Sequence, residues 1–203
     1  MRACCWYSAY NLFYRKEIDT LAAALTDLSL DKPLLVLSIG RRACTQPHPF
    51  VDPKLKSKPN LSVRRVEDFV ADAKVRTYFA AAYGILAFYG VFIGASGVLL
   101  QSLGYGRMPI ASDAGEIGEL CREHGGGLLA PVKNMDGLQA TLLHFLSMPA
   151  AEQQVHEAAA CIAAKQLSWG KITGAILDNT LQSRSPAVNL KGSRRARRWS
   201  SNR

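Results

Sequence analysis

The stretch ASGVLLQSLGYGRMPIASDAGEIGELCREHGGGLLAP, residues 95–131, decides the fold. It reads as a helix, a short strand, a polar loop, a second helix, a glycine turn and a further strand. The first helix opens on small residues, Gly94-Ala95-Ser96-Gly97, after an apolar run. A helix start has N–H groups without intrahelical acceptors and the positive end of the peptide dipole. With no bulky side chains in the way, those amides can approach a phosphate. Ser96, Gly97 and Val98 are therefore the candidate phosphate-binding amides, and a tight packing turn is the alternative reading of the same residues.

Outward from this segment the pattern continues. Apolar residues at helical spacing run through IDTLAAALTDL, and Asp31-Lys32-Pro33 end that helix. LLVLSIG (34–40) is a compact apolar run that reads as a central strand. Residues 41–62, with four prolines and several basic residues, read as an irregular surface loop. A short strand is expected at 63–66, then a helix over 73–82 that Asp72 can cap. A buried strand follows at about 84–89 and a helix at about 96–105. Met108 to Ala111 is the next strand. Ser112-Asp113 can start a helix that Gly125–Gly127 end, and Leu128 to Ala130 is again a strand. Asp136 can cap GLQATLLHFLSM, and AAEQQVHEAAACIAAKQL gives a last amphipathic helix. Strands alternating with helices imply an α/β domain, a parallel sheet covered by helices on both faces, Rossmann-like in plan. Ligands of such a sheet bind at the carboxyl ends of its strands. Three loops would converge there: the one before Lys16, the one at 90–97 and the one at 112–116.

Composition narrows the class. The 203 residues, 48% of them hydrophobic, suffice for one globular core. The net charge of +9 is concentrated at the end: residues 183–203 hold seven Lys or Arg and no acid. The domain is accordingly placed at 1–182 and a basic disordered tail at 183–203. That tail reads either as a solvated end or as an anchor for nucleic acid or an anionic membrane. Five cysteines without CxxC spacing fit a reducing, cytoplasmic setting. Four histidines form no metal pattern, so no metal is expected. Residues 77–106 are 30 uncharged residues, long enough to cross a bilayer, which sets a single-pass membrane protein beside the globular reading.

The residues GVLLQSLGYGRMPIASDAGEIGEL (97–120) and GGGLLAP (125–131) resemble, in order and spacing, the C-terminal, donor-binding domain of GT-B retaining glycosyltransferases of the group 1, or family 4, type. A weaker resemblance runs from Arg15 to Leu181 through RKEIDTLAAAL, PLLVLSIGR, VRTYFAAAYGILAFY and LSWGKI. The resemblance implies a nucleotide-sugar donor as ligand, hexosyl transfer with retained configuration in full-length relatives, and no cofactor. It assigns donor binding to Arg15, Lys16, Ser96, Gly97, Val98 and Gln101, with Asp113, Gly115 and Glu116 on the same crevice. Lys16 would stabilise the leaving diphosphate as charge develops; a solvated helix-start cation is the alternative.

Several departures are visible. The family's two acidic positions fall on Ile93 and Gln101, and no Asp or Glu lies between Lys74 and Asp113. Gln101 can still hydrogen-bond a ribose hydroxyl. The family's first strand is reduced to WYSAYNLF, and no catalytic residue can be assigned. The chain has no room for the acceptor domain of a complete enzyme. The expectation is a donor-binding half that is incomplete or weakly active alone, served by a protein supplying the N-terminal acceptor domain. A non-catalytic partner-binding subunit or a truncated product are the alternatives.

Overall fold

A computed structural model of the chain describes the backbone of residues 2–7 and, in full, residues 17–40, 48–90, 94, 96–168 and 170–174. The chain divides into two compact units, Met1–Leu167 and Ser168–Arg203. All elements below belong to the first. In the second, residues 170–174 are helical, and the basic segment 183–203 lies outside the described residues.

Six strands form one parallel sheet: β1 (Arg2–Tyr7), β2 (Leu34–Ile39), β3 (Leu61–Val66), β4 (Gly84–Ala87), β5 (Met108–Ser112) and β6 (Leu128–Ala130). Their spatial order is β3-β2-β1-β4-β5-β6. The helices are α1 (Ile18–Asp27), α2 (Pro53–Lys56), α3 (Asp72–Ala81), α4 (Gly97–Gly104), α5 (Gly115–His124), α6 (Met135–Ser147) and α7 (Ala150–Gln166).

Side-chain alternation along the strands divides the interior into two layers. Leu34, Val36, Leu86, Met108 and Ile110 point to one face, where α1, α2 and α6 supply Leu21, Leu25, Leu55, Leu142 and Phe145. Ile39, Ile85, Ala87 and Ala111 point to the other, packing on Val75 and Phe79 of α3, Leu99 and Leu103 of α4, Ile117 of α5 and Ala160 of α7. Because both faces are covered, β4 and β5 are buried at every residue.

The expected α/β plan is therefore present, with local corrections. Residues 77–106 are not one span: they include the end of α3, all of β4 and α4. Among the described residues no helix is long and apolar enough to cross a membrane. Within the segment expected as an irregular loop at 41–62, residues 49–51 and 53–56 are helical. A 3-10 turn at Pro49–Val51 and helix α2 each place a proline in the first turn, where its missing N–H costs nothing. His48 Nδ1 accepts from the Phe50 N–H at 3.1 Å, and Asp52 accepts from the Lys54 N–H at 2.8 Å. Phe50 and Leu55 are buried as a result. The prolines start helices here rather than break them.

Three caps also sit elsewhere than expected. Helix α6 is capped by Asn134, whose Oδ1 accepts from the Gly137 N–H at 2.9 Å, and not by Asp136, which lies in the first turn. Asp72 is likewise the first helical residue of α3, with Ala71 before it. Asp113 does not cap α5: β5 runs on through Ser112, and Ala114 precedes the helix. Gly125 ends α5 in the left-handed region at φ +64°, as its type predicts.

Candidate functional site

The strand order reverses direction between β1 and β4. The helices that follow β1 and β4 lie on opposite faces, α1 in one layer and α4 in the other. A crevice opens at such a point beyond the carboxyl ends of the strands. The N-termini of α1 and α4 border it, and that of α5, which follows β5, lies next along the sheet.

The α4 wall is built with care. Ser96 is buried, has extended backbone and caps the helix by accepting from the Leu99 N–H at 3.3 Å. The Tyr89 hydroxyl lies 2.7 Å from the same Ser96 oxygen. Ser112, at the end of β5, bonds Tyr89 twice, accepting from its N–H and donating to its carbonyl at 2.8 Å. Tyr89 is thereby tied to both sides of the segment, which fixes where α4 begins. Burial pushes the Tyr89 phenol up, and its bond to Ser96 opposes that in part. With Leu99 satisfied by the cap, the Gly97 and Val98 amides are the first-turn donors without an intrahelical acceptor. Gly97 is exposed, and a Cβ built on it meets nothing within 4 Å, so the approach is open.

Ser112→Ala removes both bonds to Tyr89 and leaves a buried N–H without that partner. The expected loss is about 1–3 kcal/mol of stability, checked by denaturant unfolding. A loss below 0.5 kcal/mol, of the order expected from a neutral surface change, would contradict this view of the loop.

Of the sequence-predicted residues, Ser96, Gly97 and Val98 lie together at this helix start, though the Val98 side chain is turned into the core. Gln101 is exposed one turn further along α4. Asp113 ion-pairs with Arg122 of α5, and its amide donates to the Ala130 carbonyl at 2.8 Å. Gly115, at φ +54°, and exposed Glu116 form the first turn of α5. Arg15, Lys16 and Ile93 lie outside the described residues. So does most of WYSAYNLF: the described first strand is Arg2–Tyr7, which overlaps it only at Trp6 and Tyr7.

One crevice residue was missed by sequence reasoning. Glu17, which precedes α1, reaches across to Gly90, just beyond β4. Its Cδ lies 2.6 Å from where a Gly90 Cβ would stand, and the Thr20 hydroxyl donates to its other oxygen. An acid beside the helix-start lysine was the available signal, since carboxylates favour helix N-termini.

Other polar groups are structural. Ser38 and His48 are buried 3.1 Å apart. His48 Nδ1 is used as an acceptor, so Nε2 carries the proton and donates to Ser38; it is not a base for that hydroxyl. A cavity of about 480 Å³ lies at the opposite pole, before β4 and β5. There Arg107 is fixed by Glu157 at 3.2 Å and by the Ala80 carbonyl at 2.8 Å, tying α3 and α7 to the sheet.

Burial pushes the Cys121 thiol up to about 12, with Arg122 opposing and Asp113 adding. A folded thiol harder to ionise than the unfolded one means stability falls as pH rises from about 9 toward 12. At pH 8, alkylation of the native protein is expected to modify exposed Cys161 and spare Cys121 until denaturant is added, as read by peptide mass mapping. Equal labelling of both would contradict the assignment.

No family model matches the sequence, and no curated protein matches it either. Solved structures do. Sucrose-phosphate synthase from Thermosynechococcus elongatus superposes with a TM-score of 0.65 at 16% identity, over 91% of this chain and 46% of that one. The UDP-forming trehalose-phosphate synthase of Burkholderia vietnamiensis gives 0.65 at 10% identity, over 89% and 45%. HepE from Anabaena, in complex with UDP, gives 0.67 at 16% identity, over 89% and 48%. The chain thus spans less than half the length of these proteins, and at such identities the likeness is one of fold. The chain has the Rossmann-like fold of the C-terminal-type half of a GT-B glycosyltransferase.

Proposed function

We propose that the chain is a nucleotide-sugar-binding domain whose crevice receives the donor diphosphate at the start of α4. The observation that carries this reading is the Ser96-capped helix start, with the Gly97 and Val98 amides presented beside the switch point of a parallel sheet. Arg15 and Lys16, just before α1 in sequence, would add cationic charge, and Gln101 a hydrogen bond to the ribose. That HepE was solved with UDP supports a uridine nucleotide as the first probe.

Sugar transfer by this chain alone is weak or absent in this reading. Positions 93 and 101 hold Ile and Gln where carboxylates would be needed, and a protein carrying the acceptor site would complete the enzyme. A second reading, a non-catalytic subunit, is favoured by Val155 and Ile162. They lie seven residues apart on one side of α7, 67% and 57% exposed, an apolar pair open to a partner.

The test is thermal stability against a panel of nucleotide sugars and nucleoside diphosphates. A ligand of the folded state raises Tm by mass action. A shift with one diphosphate, lost on Lys16→Ala, supports the donor site. No shift with any, in a folded protein, favours the subunit reading.

A further inference from the structure

The crevice contains a carboxylate that its own strand-to-helix segment does not encode. The whole stretch between Lys74 and Asp113 is free of acid, so β4, α4 and the loop joining them offer no carboxylate to a ligand. Glu17 brings one from the other wall. It leaves the start of α1 and lies against the Cα of Gly90, so close that a Cβ there would overlap its Oε1. All three heavy atoms nearest to that Cβ position belong to the Glu17 side chain. Gly90 has no positive φ, so its lack of a side chain is used for this contact and not for an unusual backbone conformation. The Thr20 hydroxyl steadies the carboxylate from within α1.

We propose that Glu17 is the specificity-determining residue of this crevice, accepting hydrogen bonds from the hydroxyl groups of the transferred sugar. The proposal rests on the donor-site reading and deepens it. An ionised carboxylate is acceptor-only, with about four lone-pair sites. Thr20 occupies one, and the remainder match hydroxyl donors. Phosphate oxygens are acceptors too, so the same group gives a bare diphosphate nothing and repels it. Glu17 therefore separates a nucleotide sugar from the nucleotide that is left after transfer, favouring the first. It supplies, from a different element, a carboxylate where positions 93 and 101 carry none.

The experiment is calorimetric titration of the full chain with UDP-glucose and with UDP, for wild type, Glu17→Ala, Glu17→Gln and Gly90→Ala. Glu17→Ala is expected to weaken UDP-glucose by about 10- to 100-fold, the scale of hydrogen bonds to a charged group, while UDP changes by less than about threefold or tightens. Glu17→Gln, which keeps one acceptor oxygen, falls between. Gly90→Ala keeps the glutamate in the sequence but puts a methyl group where its carboxylate lies, which displaces it. It is expected to reproduce the Glu17→Ala loss, and the double variant to be no weaker than either single one, because both remove the same contact. Thermal denaturation of each variant without ligand confirms folding.

Equal weakening of both ligands, or no change in either, overturns the assignment of Glu17 while wild-type binding leaves the donor site standing. A silent Gly90→Ala beside a damaging Glu17→Ala also overturns it. A wild-type protein that binds neither ligand overturns the donor-site reading itself, and this assignment with it.

Discussion

Phe145→Ala is expected to cost about 3–5 kcal/mol of folding stability, the range for deleting a fully buried aromatic side chain. Phe145 is completely buried on α6. Its ring covers Gly84, the first residue of β4: a Cβ on Gly84 would stand 2.8 Å from Phe145 Cε2. The glycine and the phenylalanine are thus matched in size, and the ring fastens α6 to the middle of the sheet. Removing it leaves a void that the backbone of a central strand cannot collapse to fill. For a chain of this length the loss corresponds to a Tm lower by about 6–20 °C. Phe69, 78% exposed, is the control, and its replacement by alanine should stay within about 0.5 kcal/mol. Calorimetry and urea unfolding read both. A Phe145 variant within 1 kcal/mol of wild type would mean that this layer is not packed as described.

Gly97→Asp is expected to move stability and binding in opposite directions. Gly97 is the first helical residue of α4, exposed, with open space where its Cβ would point. An acid in the first turn gains about 0.3–1 kcal/mol from the helix dipole and also removes a glycine from a helix. The fold should therefore be unharmed or slightly more stable. The same carboxylate occupies the approach to the Gly97 and Val98 amides and repels a diphosphate. Unit charges 4 Å apart near a protein surface interact by about 4 kcal/mol, and exposure and salt reduce this. A loss of about 10- to 100-fold in affinity for a nucleoside diphosphate is the expected result. Gly97→Asn, of the same shape without charge, should retain most of the binding. Asp and Asn variants that bind alike would show that the anion does not sit at this helix start.

The fold was legible because its signals were local. ILA and MPIAS are short, continuously apolar and bounded by glycine or polar turns, which only strands buried on both faces need to be. Gly125 could end α5 because its backbone lies in the left-handed region that favours glycine. Residue type misleads where it serves two purposes. Pro49 and Pro53 are breakers by type, yet each opens a turn whose hydrophobic residue, Phe50 or Leu55, enters the core. Asp113 and Asp136 suit caps by type alone. Asp113 is drawn away by Arg122 on the next helix, and Asn134 caps α6 from two positions before Asp136. The first strand is expected at WYSAYNLF but is described at Arg2–Tyr7, because RACCWY lacks a run of branched apolar residues, although it pairs with both β2 and β4.

The site divided along the same line. Ser96, Gly97 and Val98 could be found from sequence since a helix start is a property of neighbouring residues. The Tyr89–Ser96–Ser112 linkage and the Glu17–Gly90 contact could not. They join residues 7, 23 and 73 positions apart, and their existence follows from which strands lie side by side. Knowing that β4 pairs with β1 is what makes a glutamate before α1 a neighbour of a glycine after β4.

An anionic nucleotide bound at the carboxyl ends of β1 and β4 would be seen residue by residue in an amide-resolved NMR titration. With the chain labelled uniformly with 15N, addition of UDP should move the amide signals of Ser96, Gly97 and Val98 first and furthest, with those of Glu17 and Gly90 following. Signals around the cavity at the opposite pole, from Tyr83, Arg107 and Glu157, should stay in place. Shifts confined to that pole, or no shifts at millimolar UDP in a folded protein, would mean that no nucleotide binds at the start of α4.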